Sequence, residues 1–284
     1  MNLLRTDMMN EIKKILVPVD YSKPSLRAVN YALELAKSIN AEVIIHNAIF
    51  PFMMTEDYFE YSIIENSINA KKEKLQKFIK KLLKKEIANE VKITYSCGVG
   101  LPCQSILEVT KTQKIDLIIL GTGGTKDFNQ AIIGSKTATI VSNCSVPILL
   151  LPVNSDAANY NKEIVFATDF IDVPKGKSKK ILLEFAKSNH SQINILHIIK
   201  SGNIPEIEVF EKEFNKSFSQ IPHKFSYVSN SNTIAAINEY LNNSTSQILC
   251  LIKRKHGIIS GLFHKSVSKY LALHGSFPML VLPE

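Results

Sequence analysis

Two short segments of this chain have the composition of an anion-binding site. Residues 121–124 follow an apolar run that is typical of a buried strand, and residues 134–137 open a helical segment. Glycine lets backbone N–H groups approach an anion closely, and a helix N-terminus adds unpaired N–H donors and a favourable dipole. We therefore predict phosphate binding, with chain turning and helix capping as the alternative role of the same residues. They are Gly121, Thr122, Gly124, Gly134, Ser135, Lys136 and Thr137.

An aspartate follows the first apolar run of the chain. This run ends in Pro18, Val19 and Asp20, and Ser22 can cap a helix whose first turn contains Pro24. Ligands of open parallel sheets bind outside the carboxyl ends of the strands. The segment that ends in Asp20 is therefore a third candidate part of the site, beside residues 121–124 and 134–137.

Apolar runs and helical segments alternate along the chain. Runs that are apolar throughout are typical of parallel strands covered on both faces, and right-handed crossovers then give a doubly wound three-layer α/β sandwich. In the first part of the chain we predict strands at 14–19, 42–49, 91–96, 115–120 and 146–151, with helices at 23–38, 57–88, 102–113 and 134–143. In the second part we predict strands near 163–168, 192–199, 223–228, 247–252 and 278–282.

The second part of the chain repeats the first. Two copies of about 140 residues indicate tandem domains, because solenoid repeats are far shorter. We predict domains at residues 11–152, the first unit, and 162–284, the second unit. The alignment matches His46 to His197, which we interpret as hydrogen-bonded core residues rather than metal ligands. The corresponding stretches are 14–20 with 163–169, 32–49 with 182–199, and 144–152 with 275–283.

The chain is basic, with a formal net charge of +8. Residues 71–85 contain eight lysines and one glutamate, so most of the excess lies in one predicted helix. The segment has no arginine, and its single aromatic residue lies on the apolar stripe. We interpret the lysines as a solvated face and expect no specific nucleic-acid binding. The apolar stripe consists of Leu75, Phe78, Ile79, Leu82 and Leu83.

Composition also bounds the location of the protein. Apolar residues make up 45% of the chain, and no apolar run approaches the roughly 18 residues that a spanning helix needs. The first residues lack the apolar stretch of a signal peptide, so we expect a cytoplasmic protein without a membrane partner. Four scattered cysteines suggest neither a disulfide framework nor a zinc cluster.

The glycine segments have the spacing Gly-x2-Gly-x9-Gly-Ser, which resembles the universal stress protein family, whose ATP-binding members carry it after the fourth strand. The resemblance extends to KKILVPVDYS at 13–22, VIIHNA at 43–48 and VPILLLP at 146–152. It implies a tandem universal stress protein, in which each unit is a five-stranded sandwich like those of the adenine nucleotide alpha hydrolases. The implied ligand is ATP, or AMP or ADP, with Mg²⁺ or Mn²⁺ as a potential companion.

The resemblance also implies a role for each residue of the motif. Pro18, Val19 and Asp20 would lie against the nucleoside, with Asp20 near the ribose or a metal that bridges the phosphates. Asn47 falls where the family often places an apolar residue against adenine. The ribose and phosphates would contact Gly121, Thr122 and Gly124, and the phosphates would be held by Gly134, Ser135, Lys136 and Thr137.

The second unit keeps Asp169 as the counterpart of Asp20 but loses the glycines. Basic residues at 253–256 stand opposite residues 121–124, and Lys265 and Ser266 stand opposite the second glycine segment. These side chains either bind another anion, or they fill the vacated cleft or face solvent. We favour the second interpretation and expect nucleotide in the first unit only.

Three functions remain open. A nucleotide-binding regulator or sensor of the stress response is favoured over a slow metal-dependent ATPase, because no nucleophile–base pair and no nucleotidyl-transferase or pyrophosphatase signature is recognisable. A scaffold without any ligand is the third. For assembly, the apolar terminal runs at 146–151 and 277–282 are expected to pair within the chain, because an unpaired apolar edge invites aggregation. Association of two chains into a homodimer is a further expectation.

Overall fold

Ten β-strands form one continuous sheet in the computed structural model of this protein. The structure describes residues 11–50, 61–123, 135–152, 163–170, 173–200, 207–243, 247–253 and 277–284. In the first unit the elements are β1 (Lys14–Pro18), α1 (Lys23–Ile39), β2 (Glu42–Ile49), α2 (Tyr61–Leu82), β3 (Ile93–Val99), α3 (Pro102–Thr112), β4 (Leu117–Thr122), α4 (Ser135–Asn143) and β5 (Ile148–Pro152). In the second unit they are β6 (Glu163–Thr168), α5 (Gly176–Ser188), β7 (Gln192–Ile199), α6 (Ile207–Ser217), β8 (His223–Ser229), α7 (Thr233–Asn242), β9 (Gln247–Lys253) and β10 (Met279–Pro283).

The two units have the same strand order. The sheet runs β3-β2-β1-β4-β5-β10-β9-β6-β7-β8, with parallel pairing inside each unit. The predicted α/β fold is thereby confirmed. The two five-stranded sheets are joined edge to edge instead of standing apart, because β5 and β10 pair antiparallel.

Both faces of the sheet are covered by helices. Alternate residues of β1 show this, since Ile15 and Val17 pack into the cluster beneath α1 and α2, whereas Leu16 packs into the cluster with α3 and α4. The continuous apolar runs of the sequence follow from this double burial. Since the faces of the sheet are covered, polar residues come together at its carboxyl edge.

The two units meet through a buried strand pair and a polar border. Leu149 of β5 lies opposite Leu280 of β10, and both are fully buried. On the α1 side, the Glu184 carboxylate accepts hydrogen bonds from the backbone N–H groups of Glu11 (2.8 Å) and Ile12 (2.9 Å). The predicted pairing of the terminal strands within one chain is confirmed.

The strand register corrects one detail of the internal repeat. Pro18 pairs with His46 in the first unit, whereas Thr168 pairs with His197 in the second. Since Pro18 corresponds to the residue before Thr168, the counterpart of His197 is Asn47. The match of His46 to His197 was therefore wrong by one residue.

The same correction applies at the glycine segment. Leu16 pairs with Ile118, and its counterpart Val165 pairs with Leu249. Ile118 of β4 and Leu249 of β9 are therefore counterparts. Three residues further along each strand, Ile252 stands in the place of Gly121. The counterpart of Thr122 is accordingly Lys253, one position earlier than the sequence alignment predicts.

The lysine-rich segment forms α2, with a solvated basic face and an apolar stripe. Leu75, Ile79 and Leu82 are buried, and the lysines beyond Lys71 are exposed. The helix ends at Leu82, where a turn redirects the chain toward a short 3-10 helix. Because of this turn Leu83 is 45% exposed, and its predicted place on the apolar stripe was wrong.

Candidate functional site

The candidate site lies at the carboxyl edge of β1 and β4, which are neighbours in the sheet. From β1 the chain continues outward to β2 and β3, and it then returns to the other side of β1 to form β4 and β5. Such a reversal leaves a crevice between the two loops that follow the central strands. Asp20 follows β1, and Gly123 follows β4. The sequence-predicted residues at both positions therefore lie at the same carboxyl edge of the sheet, where such a crevice is expected.

Asp20 and Ser22 build the turn between β1 and α1. The Asp20 carboxylate accepts hydrogen bonds from the backbone N–H (3.0 Å) and the hydroxyl (2.5 Å) of Ser22. Burial raises the pKa of Asp20, but the hydrogen bonds from Ser22 outweigh it, so the pKa lies below its usual value. Asp20 is thus an exposed, ionised carboxylate at the rim of the crevice.

Asn47 fixes the end of β1. Its side-chain amide donates to the Val19 carbonyl at 2.7 Å, and the Val19 N–H donates to the His46 carbonyl at 2.8 Å. Asn47 and Val19 are buried, whereas Pro18 is half-buried. In the second unit His197, the counterpart of Asn47, contacts the Thr168 carbonyl through Nδ1 at 3.0 Å. Two different side chains thus make the same bond at equivalent strand ends.

His46 is a hydrogen-bonded core residue, as predicted. Its Nδ1 lies 2.8 Å from the Ser96 hydroxyl, and its Nε2 lies 2.8 Å from the Ser105 hydroxyl. The ring is fully buried, and burial lowers the pKa of His46 to about 4. A hydroxyl can donate to one ring nitrogen and accept from the other, so the neutral ring is satisfied without any metal.

This burial makes the stability of the protein depend on pH. Between pH 6.5 and pH 4 the unfolded chain binds a proton at His46 that the folded chain does not, so the free energy of unfolding falls as the pH falls. The loss from this group amounts to about 3 kcal/mol at pH 4. Urea unfolding of His46→Asn across this range is expected to lack that part of the slope. The control His190→Asn, which changes an exposed histidine, is expected to keep it, and equal slopes in both variants would contradict the prediction.

Gly121 is required by the packing of α1. A Cβ atom at this position would lie 2.0 Å from the carbonyl oxygen of Pro24 and 2.8 Å from the backbone nitrogen of Ser25. By contrast, a Cβ atom at Gly123 would meet no atom of the described residues within 4 Å. The absence of a side chain at Gly121 therefore lets the first turn of α1 approach β4.

The helix that the sequence predicts at the phosphate site begins at Ser135. Lys136 is exposed and Thr137 half-buried, and the Lys136 carbonyl accepts a weak hydrogen bond from the Cys103 thiol at 3.5 Å. Because α4 runs from the carboxyl end of β4 back to β5, its N-terminus lies at the same edge as Asp20. Thr122 is buried at the end of β4. Gly124 and Gly134 lie outside the described residues.

Tyr21 is a feature of the crevice that sequence reasoning missed. Its backbone is left-handed, with φ of 66°, and the Lys74 ammonium lies 4.2 Å from the centroid of its ring. The ring also makes an edge contact with Phe78 at 5.6 Å. Glycine and asparagine are the usual signals for this backbone conformation, and a tyrosine carries no such signal.

The corresponding crevice of the second unit contains an aromatic stack. Phe170, the residue after Asp169, lies between His197 and Phe210 with ring centroids 4.3 Å and 4.1 Å away. Tyr227 contacts its edge at 5.8 Å. The rings therefore fill the region beside His197, which corresponds to Asn47 in the first unit.

Lys253 does not belong to a basic anion site in the second unit. Its ammonium donates to the carbonyls of Val141 (3.0 Å), Ser142 (2.9 Å) and Cys144 (2.7 Å), at the C-terminal end of α4 in the other unit. This contact corrects both interpretations of Lys253, as an anion ligand and as a filler of its own cleft. The other predicted members of the basic cluster, Arg254, Lys255, His256, His264 and Lys265, lie outside the described residues.

Within the described residues no group of three or more His, Cys, Asp or Glu side chains is placed to hold a metal ion. In that same part of the chain, no helix is long and apolar enough to cross a membrane.

Comparison with known sequences places the family signal in the first unit. Residues 11–152 match the sequence model of the Universal stress protein family. A universal stress protein of Methanocaldococcus jannaschii is 32% identical over 146 residues, which cover 50% of this chain and 83% of that protein. A second one from the same organism is 23% identical over 153 residues, covering 49% of this chain and 94% of that protein.

Comparison with solved structures extends the likeness to both units. A universal stress protein from Archaeoglobus fulgidus has a TM-score of 0.74 at 16% identity, covering 97% of this chain and 99% of that chain. A functionally unknown protein from Pseudomonas aeruginosa has a TM-score of 0.62 at 12% identity, covering 96% of this chain and 92% of that chain. At these identities the likeness shows a shared fold over nearly the whole chain.

Proposed function

Because this chain belongs to the universal stress protein family, we propose that its first unit binds ATP or another adenine nucleotide. The protein would act as a regulator of the stress response or as a nucleotide sensor in the cytoplasm. One observation carries the proposal: Asp20, Gly121, Gly123 and the N-terminus of α4 lie at the same carboxyl edge of the sheet, where the strand order reverses.

The nucleoside would lie beside β1 and β2, and the phosphates beside α4. Pro18, Val19 and Asp20 would form the near wall, and Asn47 would position that wall through its bond to the Val19 carbonyl. The loop after β4 and the first turn of α4 would surround the ribose and phosphates. The residues that would contact the ribose and phosphates are Gly121, Thr122, Gly124, Gly134, Ser135, Lys136 and Thr137.

Asp20 fits a divalent cation that arrives with the nucleotide. Mg²⁺ is usually held by one or two carboxylates together with substrate phosphates, and Asp20 is an ionised carboxylate at the rim of the crevice. Mg²⁺ or Mn²⁺ bound there would neutralise phosphate charge. Asp20 would orient the ion through its carboxylate, which the Ser22 hydrogen bonds hold in place.

We propose that the domain boundaries fall at residues 11–152 and 162–284 and that the second unit binds no nucleotide. The Phe170 stack occupies the region that corresponds to Asn47, so a base would have to displace packed rings. Ile252 also stands where the first unit has Gly121. Association of two chains into a homodimer stays a prediction.

A titration calorimetry experiment tests the function and the stoichiometry together. With ATP and Mg²⁺ we expect one site per chain and a roughly tenfold weaker affinity for Asp20→Asn, because the substitution removes a charge and keeps the shape of the side chain. The matched control Asp169→Asn changes the counterpart in the second unit and should leave the affinity unchanged. Two equivalent sites, or equal effects of the two variants, would contradict this assignment. Mass analysis of the nucleotide after incubation separates binding from hydrolysis, since an ATPase would release ADP.

A further inference from the structure

Lys253 links the second unit to one end of the helix whose other end borders the candidate phosphate site. Its ammonium has three N–H donors, and the three carbonyls at the end of α4 accept them at 2.7 to 3.0 Å. The lysine is half-buried, and Val141 beside it is buried. The contact therefore joins residues more than 100 positions apart in the sequence, across the boundary between the units.

The chemistry of this contact is that of a helix C-cap. The last carbonyls of a helix lack partners within the helix and carry partial negative charge, so a cation there is stabilising. Among the described residues α4 runs from Ser135 to Asn143, 9 residues, and Val141 lies about 9 Å along the axis from Ser135. A displacement of one end of so short a helix is carried to the other end, because backbone hydrogen bonds join its successive turns.

We propose that Lys253 is a positioning residue for nucleotide binding by the first unit. It holds the C-terminal end of α4 and compensates the negative pole of the helix. The free N–H groups at the N-terminus of α4 are thereby aimed at the phosphates. The positive end of the helix dipole remains available to the phosphate charge. This inference rests on the proposed function, and it assigns the second unit a role at the phosphate site although it binds no nucleotide itself. In the first unit the counterpart of Lys253 is Thr122, which carries no charge and so offers no cation to a helix C-terminus.

The test compares ATP and adenosine binding in the full chain. Lys253→Met is expected to weaken ATP binding about five- to tenfold, and adenosine binding should remain within a factor of two, because only the phosphates contact the N-terminus of α4. Lys253→Arg retains the charge and should restore most of the ATP affinity. Lys177→Met is the matched control, since it removes another lysine at the boundary, one whose ion-pair partner is Asp116 at 3.0 Å and not a residue of α4.

The outcomes separate this role from a structural one. Equal losses for ATP and adenosine in Lys253→Met would mean that the lysine only supports the fold, and unchanged ATP binding would mean that it does not position the helix. Either result overturns the proposal and leaves the proposed function standing. Failure of the unsubstituted chain to bind ATP would contradict both. If Lys253→Met does not fold, Lys253→Arg and Lys253→Gln test the proposal through the ratio of ATP to adenosine affinity. Only Lys253→Gln, which removes the charge, should lower this ratio.

Discussion

A chain that carries lysine at both Leu149 and Leu280 is expected to lose the junction between its two units. These residues face each other in the antiparallel pair of β5 and β10, and both are fully buried. A buried ammonium without a partner costs several kcal/mol, and here two like charges would meet. We expect a loss of at least about 4 kcal/mol in the free energy of unfolding, which is a large part of the stability of a typical domain. Urea unfolding and dye binding to exposed apolar surface measure it.

A charge-matched control isolates the effect of the position. Leu83 and Val209 are 45% and 59% exposed, one in each unit, so lysine at both should change stability little. Unchanged thermal stability and solubility of the Leu149→Lys and Leu280→Lys double variant would show that the interface is wrong. Alanine at the same two positions gives a second measurement, because residues in contact show a coupling energy of about 0.5 to 3 kcal/mol in a double-mutant cycle.

The strands and their junction could be predicted from the sequence because burial on both faces makes the signal strong. The run from Lys14 to Pro18 is apolar between its ends, and the terminal run of each unit is apolar as well. An apolar edge must be covered, and the other terminal strand of the same chain is available to cover it. The junction therefore follows from composition and topology without any knowledge of individual contacts.

The register of the repeat could not be predicted in the same way. Apolar runs align almost equally well when they are shifted by one residue, so the sequence matches Gly121 to Lys253 although Ile252 is its true counterpart. Only the pairing with β1 and β6 fixes the alignment. Residues that change type between the units are therefore the ones for which the structure was needed.

Contacts between distant segments could likewise not be predicted from the sequence. Lys253 follows an apolar strand and stands among other basic residues, which favours an anion site. Its partners are backbone carbonyls, and these have no sequence signature at all. The Phe170 stack was missed for a related reason, since an aromatic residue after Asp169 gives no indication of which rings it will contact.

Gly121→Ala is expected to damage both the fold and nucleotide binding. The added Cβ atom would lie 2.0 Å from the Pro24 carbonyl oxygen and 2.2 Å from its carbon, so the first turn of α1 must move away from β4. That turn is capped by Ser22, which also holds the Asp20 carboxylate. We expect a loss of about 3 kcal/mol in the free energy of unfolding, as for an overpacked core, and an ATP affinity at least about tenfold weaker.

The matched control for this variant is Gly123→Ala, two residues further along the same segment. A Cβ atom there would lie more than 4 Å from every described residue beyond its neighbours in the chain, so its cost should stay within about 1 kcal/mol. Urea unfolding and calorimetry on both variants compare the two positions directly. Equal stability of the two variants would mean that α1 is not held against Gly121. Weakened ATP binding in Gly121→Ala together with unchanged stability would instead assign this glycine to the ligand alone, since a shifted α1 must lower both quantities at once.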